Sequence, residues 1–126
     1  MFPTLLISHF YNEEYLLPWF CRHHRELFNH AVFLNHESTD SSIEIINREW
    51  PGAEVRQSEL KEFDFARTDQ EVMAVEEEFE GWKFNLNLTE FLLAPRFPDL
   101  LEELELEDVG TFAYKTTVMV DNEPDI

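Results

Sequence analysis

Short apolar runs alternate with polar loops and amphipathic stretches along most of this chain. Thr4 to Ser8 is apolar and of strand length, as expected for a strand buried on both faces. Ser8-His9-Phe10-Tyr11-Asn12 carries the chain off its carboxyl end. Asn12 is a candidate N-cap, with Glu13 and Glu14 in the first turn. Pro18 predicts a turn at Glu13–Leu16 and a regular helix starting near Pro18 itself. Leu17, Phe20, Cys21, His24, Leu27 and Phe28 then share one helix face.

The unit repeats. Ala31 to Leu34 is a second strand with Asn35 to Asp40 as its exit loop. Ser41-x-x-Glu44 reads as a capping box for a helix carrying Ile43, Ile46 and Trp50 inward, and Pro51-Gly52 stops that helix. Ala53 to Gln57 is a weaker third strand, and Ser58 to Arg67 lacks a period and reads as a loop. Thr68-x-x-Glu71 reads as a second capping box, opening a helix with Val72, Val75 and Phe79 buried and Gly81 at its end. Trp82 to Leu88 is a fourth strand, with Phe84–Leu88 as its core, and leads to Thr89-Glu90-Phe91. Pro98 opens a short acidic helix through Leu106, and Thr111 to Val120 is rich in β-formers. This alternation predicts an α/β domain over residues 1–126 with a mostly parallel sheet, and analogy with open doubly wound sheets implies the order third-second-first-fourth with helices on both faces.

Composition narrows the partners. The chain has 27 acidic and 9 basic residues and a formal net charge of −18. Such a surface repels nucleic acid and anionic lipid, and it repels a nucleotide diphosphate unless a cation intervenes. A single cysteine excludes an internal disulfide and fits a reducing, cytoplasmic setting. The sequence offers no basic leader region and no apolar run long enough to span a membrane.

Several kinds of chemistry drop out. Three glycines cannot supply a P-loop or a dinucleotide fingerprint. Cys21 lies on the apolar helix face and reads as a core thiol. His23 and His24 are adjacent, so they point to different faces and cannot jointly grip a metal. His9 and His36 sit at strand exits, where a loop hydrogen bond is the plain reading. A parallel sheet would gather Asn12 and Glu13, then Glu37 to Asp40, then Glu90 at one edge. Amides and hydroxyls there could bind a base and ribose, and a carboxylate could hold a divalent ion. The same residues could equally be caps and turns.

The stretch from Tyr11-Asn12-Glu13 through Trp19, His23-His24 and Ser38-Thr39-Asp40 resembles the start of a family 2-type glycosyltransferase. Its opening is similar to that of glycosyltransferase family 92, and the resemblance spans most of residues 4 to 93. It implies a Rossmann-like GT-A fold, a nucleotide-sugar donor, a glycan or other acceptor, and a manganese or magnesium ion. It also implies nucleotide binding by Asn12, Glu13, Asn35 and Asp40, and metal binding by Asn87, Thr89 and Glu90. The catalytic residue is not implied by any motif. Where such enzymes carry Asp-x-Asp, this chain has Asn87-Leu88-Thr89, followed by Glu90-Phe91. Where their second strand often ends in Asp, Asn35 stands here. Residues 94 to 126 are too few for an acceptor-binding half, so a truncated donor-binding half is expected. The alternative is a degenerate, non-catalytic module that keeps the sheet and acts by binding or assembly.

Overall fold

The computed structural model describes residues 3–59, 64–93 and 96–110. The elements are β1 (Thr4–Phe10), α1 (Leu17–His24), β2 (His30–Asn35), α2 (Ser42–Glu49), β3 (Glu54–Gln57), α3 (Phe65–Glu77), β4 (Trp82–Asn85) and α4 (Phe97–Leu106). The chain divides into two compact units. Among the described residues, one unit holds the sheet and α1 to α3, and the other, from Arg96, holds α4. In α4, Pro98 lies in the first turn and Arg96 pairs with Asp99 at 3.6 Å. The β-rich run Thr111–Val120 lies outside the described residues.

The four strands form one sheet in the order β3-β2-β1-β4, and every pairing is parallel. This is the expected α/β arrangement and is consistent with a Rossmann-like fold. Alternation along the central strands explains their unbroken apolar runs. Leu5 and Ile7 of β1, with Val32 and Leu34 of β2, pack under Val72 and Val75 of α3. The opposite face meets α1 and α2 through aromatic rings. Phe33 lies 6.1 Å from Phe20 and 6.0 Å from Trp50, and Phe28 lies 5.3 Å from Phe84. Helices therefore cover both faces. Each such side chain contributes roughly 1.5–3 kcal/mol when fully buried, against about 0–1 for an exposed ion pair, so these two layers dominate stability.

α1 begins as its sequence implies. The Glu13 carbonyl accepts from Leu16 and Leu17, and Pro18 sits in the first helical turn. Cys21 is buried, and burial, reinforced by Glu49, pushes its thiol up to about 12, which makes it a core group. Among the described residues no helix is long and apolar enough to cross a membrane.

Several boundaries differ from expectation. β1 runs two residues past Ser8, because His9 and Phe10 still pair with Leu34 and Asn35. β4 stops at Asn85 instead of Leu88. Leu86 makes one more bond to the Ile7 carbonyl, and the chain then turns, although Leu86 and Leu88 stay buried. α3 opens at Phe65 rather than Thr68, which shortens the expected Ser58–Arg67 loop. Its cap is Asp64, whose carboxylate accepts from the Ala66 and Arg67 amides. Thr68 is buried within the helix, and Glu71 accepts from the Ser58 hydroxyl and the Glu59 amide instead of closing a box. Ser41 does precede α2, but its side chain makes no cap bond. In α2, Ile45 and Ile46 are buried where Ile43 and Ile46 were expected.

Gly81 precedes β4 with φ of 137°. The next amide, of Trp82, donates to the Pro3 carbonyl at 2.9 Å and starts the β1–β4 ladder.

Candidate functional site

Parallel strands bring their exits to one end of the sheet, and there the loops after β1 and β2 are sewn together. Asn12 is the stitch. It does not cap α1, which starts five residues later. Its φ of 48° places it in the left-handed region that Asn tolerates better than most residues. Its side-chain oxygen accepts from the Thr39 amide at 2.7 Å and the Asp40 amide at 3.3 Å. Its side-chain nitrogen donates to the Thr39 hydroxyl, and its backbone amide donates to the Ser38 hydroxyl. The Glu13 amide donates to the Ser42 hydroxyl at 2.9 Å.

The N-terminus of α2 is filled by carboxylates from the same loops. Asp40 accepts from the Ser42 amide at 2.9 Å and from the Glu14 amide at 3.3 Å. Glu14 accepts from the Ser41 amide at 3.2 Å. Partial burial opposes ionisation of Asp40. The Ser42 hydroxyl and the amides of Ser42 and Glu14 outweigh it and hold the carboxyl below its usual range. Asp40 is thus an anion at neutral pH, stabilised by donors at a helix start.

Asn35 is 2% exposed and supports the loop from behind. Its side-chain nitrogen donates to Gln57 on β3, and its oxygen accepts from the Ser38 amide, both at 3.0 Å. It shapes the site rather than facing it.

The β4 exit closes on itself. The Glu90 carboxylate accepts from the Asn87 amide, and the Glu90 amide donates to the Asn87 carbonyl, both at 2.9 Å. Asn87 and Thr89 are exposed and Glu90 is half-buried. His9 connects this turn to the other loops. Its side chain hydrogen-bonds Asn87, and its ring meets His36 edge-on at 5.6 Å. Burial lowers the His9 pKa, and the neighbouring His36 lowers it further, against the opposing pull of Asp69, Asn87 and Glu71. Period-two alternation could have found this pair. His9 continues Leu5 and Ile7, and His36 continues Val32 and Leu34, on the face that α3 covers.

The adjacent histidines have a role that their sequence positions did not show. His24 takes the Leu92 amide on Nε2 at 3.1 Å, while His23 Nε2 meets the Leu92 carbonyl at 2.6 Å. Phe91 stacks on His24 with centroids 5.6 Å apart. The backbone just past the Asn87–Glu90 turn is thereby fixed to α1.

The seven residues expected to form a site fall into two groups. Asn12, Glu13 and Asp40, backed by Asn35, form one hydrogen-bonded unit. Asn87 and Glu90, with Thr89 between them, form a second, reached through His9. Among the described residues no three His, Cys, Asp or Glu side chains cluster to hold a metal. One carboxylate and two neutral oxygen donors fit a hydrated hard cation held largely by a ligand's phosphates, not an all-protein cage.

The stitch can be tested directly. Asn12→Ala should cost about 2 kcal/mol, from lost hydrogen bonds and left-handed strain. Asn12→Gly should cost about 1 kcal/mol less, because glycine relieves the strain but not the lost bonds. Urea midpoints for the two variants check this; equal losses would place the whole effect in the bonds.

No protein-family model matches the chain, and no curated protein matches it.

Proposed function

We propose that this chain is the donor-binding half of a nucleotide-sugar-dependent glycosyltransferase of family 2 type, with a GT-A-like sheet. The observation that carries the reading is the Asn12 bridge to Thr39 and Asp40. It builds one polar unit at the carboxyl ends of the two central strands, where ligands of open α/β sheets bind. Asn12, Glu13 and Asp40 would hold the nucleoside, with Asn35 fixing their loop. Asn87, Thr89 and Glu90 would hold a manganese or magnesium ion beside the diphosphate. When bound, that ion would offset the charge of the leaving nucleotide. His9, bonded to Asn87 and set against His36, ties this turn to the nucleoside loop.

A second reading is a non-catalytic module that has kept the sheet and acts by binding or assembly. It is favoured by the turn in which the Glu90 carboxylate is already bonded to the Asn87 amide, with no second carboxylate in Asn87-Leu88-Thr89.

Calorimetric titration with nucleoside diphosphates, in magnesium, manganese or chelator, separates the two. Two unit charges about 4 Å apart interact by about 4 kcal/mol at an effective dielectric of 20, enough to decide the sign of the Glu90 contribution. Binding is expected only with the cation. Glu90→Gln should weaken it, and Asn87→Asp should strengthen it by adding a charged ligand. Tight binding in chelator, unaltered by Glu90→Gln, would remove the cation from the reading. No heat with any nucleotide would remove the donor reading and leave the module.

A further inference from the structure

We propose that Glu37 is a ligand-binding residue, its carboxylate accepting the two hydroxyls of a ribose and so selecting ribonucleotides over 2′-deoxyribonucleotides. The inference rests on the nucleotide-binding reading above and names one contact within it.

Three non-glycine residues among those described have positive φ: Asn12, Glu37 and Asp108. Two of them have local reasons. Asn and Asp tolerate the left-handed region better than other side chains. Asp108 directly follows the C-cap of α4, where that conformation is usual, and Asn12 is held by its bonds to Thr39 and Asp40. Glu37, with φ of 57°, has neither reason. It ends no helix, and its side chain has no hydrogen bond or ion pair among the described residues.

The neighbours of Glu37 impose its conformation. The His36 amide donates to the Phe10 carbonyl at 2.9 Å. The Ser38 amide donates to the Asn35 side chain, and the Asn12 amide donates to the Ser38 hydroxyl, both at 3.0 Å. Glycine would meet the same demand without a Cβ penalty. A long charged side chain that weakens the fold where glycine would serve it better is the pattern of a residue that acts on a ligand.

The rest of the loop narrows what that ligand group is. Asn12 Oδ1 already accepts from two amides, each Asp40 oxygen from one, and Asn35 Oδ1 from one. Glu37 adds an exposed carboxylate with both oxygens open. Such a group accepts hydrogen bonds and donates none, so its ligand must supply donors. It also repels phosphate, on a chain whose net charge is already −18, so it suits an uncharged part of the nucleotide. A vicinal diol offers two O–H donors side by side, matched to two carboxylate oxygens. Position agrees with this chemistry. Glu37 follows the carboxyl end of β2, beside β1. In doubly wound sheets that bind dinucleotides, a carboxylate downstream of the first strand–helix turn holds the ribose hydroxyl.

Calorimetry in manganese tests the proposal. The probes are uridine, cytidine, adenosine and guanosine diphosphates, and the 2′-deoxy form of whichever binds tightest. Wild type should bind the ribose form about tenfold tighter than the deoxy form, the worth of one charge-assisted hydrogen bond. Glu37→Gln should weaken the ribose form and reduce that ratio to about threefold or less, with the ranking of the four bases unchanged. Glu37→Gly should reduce the ratio in the same way while raising the melting temperature by about 4 °C, because it removes the left-handed strain. Its loss of discrimination then has no origin in a weaker fold. Equal binding of the two forms by wild type, or variants that keep the wild-type ratio, would overturn the proposal and leave the nucleotide-binding reading standing. So would a Glu37→Gln chain that changes its base preference, or a Glu37→Gly chain that melts no higher than wild type. If none of the four diphosphates binds, both fall.

Discussion

Between pH 6.5 and 4 the protein should lose about 3 kcal/mol of stability through His24 alone. This side chain has no exposed surface. Nδ1 donates to the Phe20 carbonyl at 2.9 Å, which leaves the Nε2 lone pair to accept the Leu92 amide. A second proton would have to sit where that N–H already points. Burial lowers the pKa from 6.5 to about 4; the Phe20 bond opposes the shift and His23 adds to it. The sign follows from comparing the two states. Above pH 6.5 the group is neutral folded or unfolded and stability is unaffected. Below it the unfolded chain gains a proton that the folded chain refuses, so each unit costs up to about 1.4 kcal/mol until the folded group also titrates near pH 4. Against a typical domain stability of about 5–15 kcal/mol, that is a large share. His24→Gln keeps a donor and an acceptor but does not titrate. Wild type should be the more stable at pH 7 and lose that lead by pH 4. Urea unfolding of both across this range measures it, and parallel profiles would refute the assignment.

Gly81→Ala should be at least as damaging, at about 3 kcal/mol. The backbone there has φ of 137°, a conformation that side chains rarely adopt. A Cβ would also fall onto the Pro3 carbonyl oxygen, with the Phe79 ring 3.2 Å away. That carbonyl accepts the Trp82 amide, so relief of the clash would pull apart the first rung between β1 and β4. Strain and overpacking each cost about 1–3 kcal/mol. For a chain of this size the loss corresponds to a melting temperature lower by about 10 °C. Gly52→Ala is the control, since a Cβ there meets nothing within 4 Å. Equal melting temperatures for the two variants would contradict the argument.

The sheet was legible because its central strands are buried on both faces. Leu5 to Ile7 and Val32 to Leu34 had to be apolar at every position, and no helix period competes over so short a run. The start of α3 was not legible. Thr68 and Glu71 have the spacing of a capping box, but Glu71 is engaged by Ser58, and Asp64 supplies the cap. At the candidate site the residue types were readable and their partners were not. Asn12 before two glutamates reads as a local cap, whereas its bonds go to Thr39 and Asp40, 27 and 28 residues away. The histidine pair reads as two unrelated faces of a helix until Leu92, 68 residues from His24, comes between them. Such polar bonds leave no periodic mark in the sequence. Apolar layers do.

The place of β1 in the sheet has a consequence in time. Its neighbour on one side, β2, follows within a single crossover, but its other neighbour is β4, and Ser8 meets Leu86 across 78 residues. A ribosome adding about 5–20 residues per second takes roughly 4–15 s to make that stretch. Throughout it, the nascent chain carries its most apolar strand with one edge open, the kind of edge that recruits strands from other chains. Removal of that hazard waits on Trp82 to Asn85, a four-residue strand with a single buried side chain, Phe84. The last-made strand of the sheet thus sets the interval during which a chaperone has something to hold.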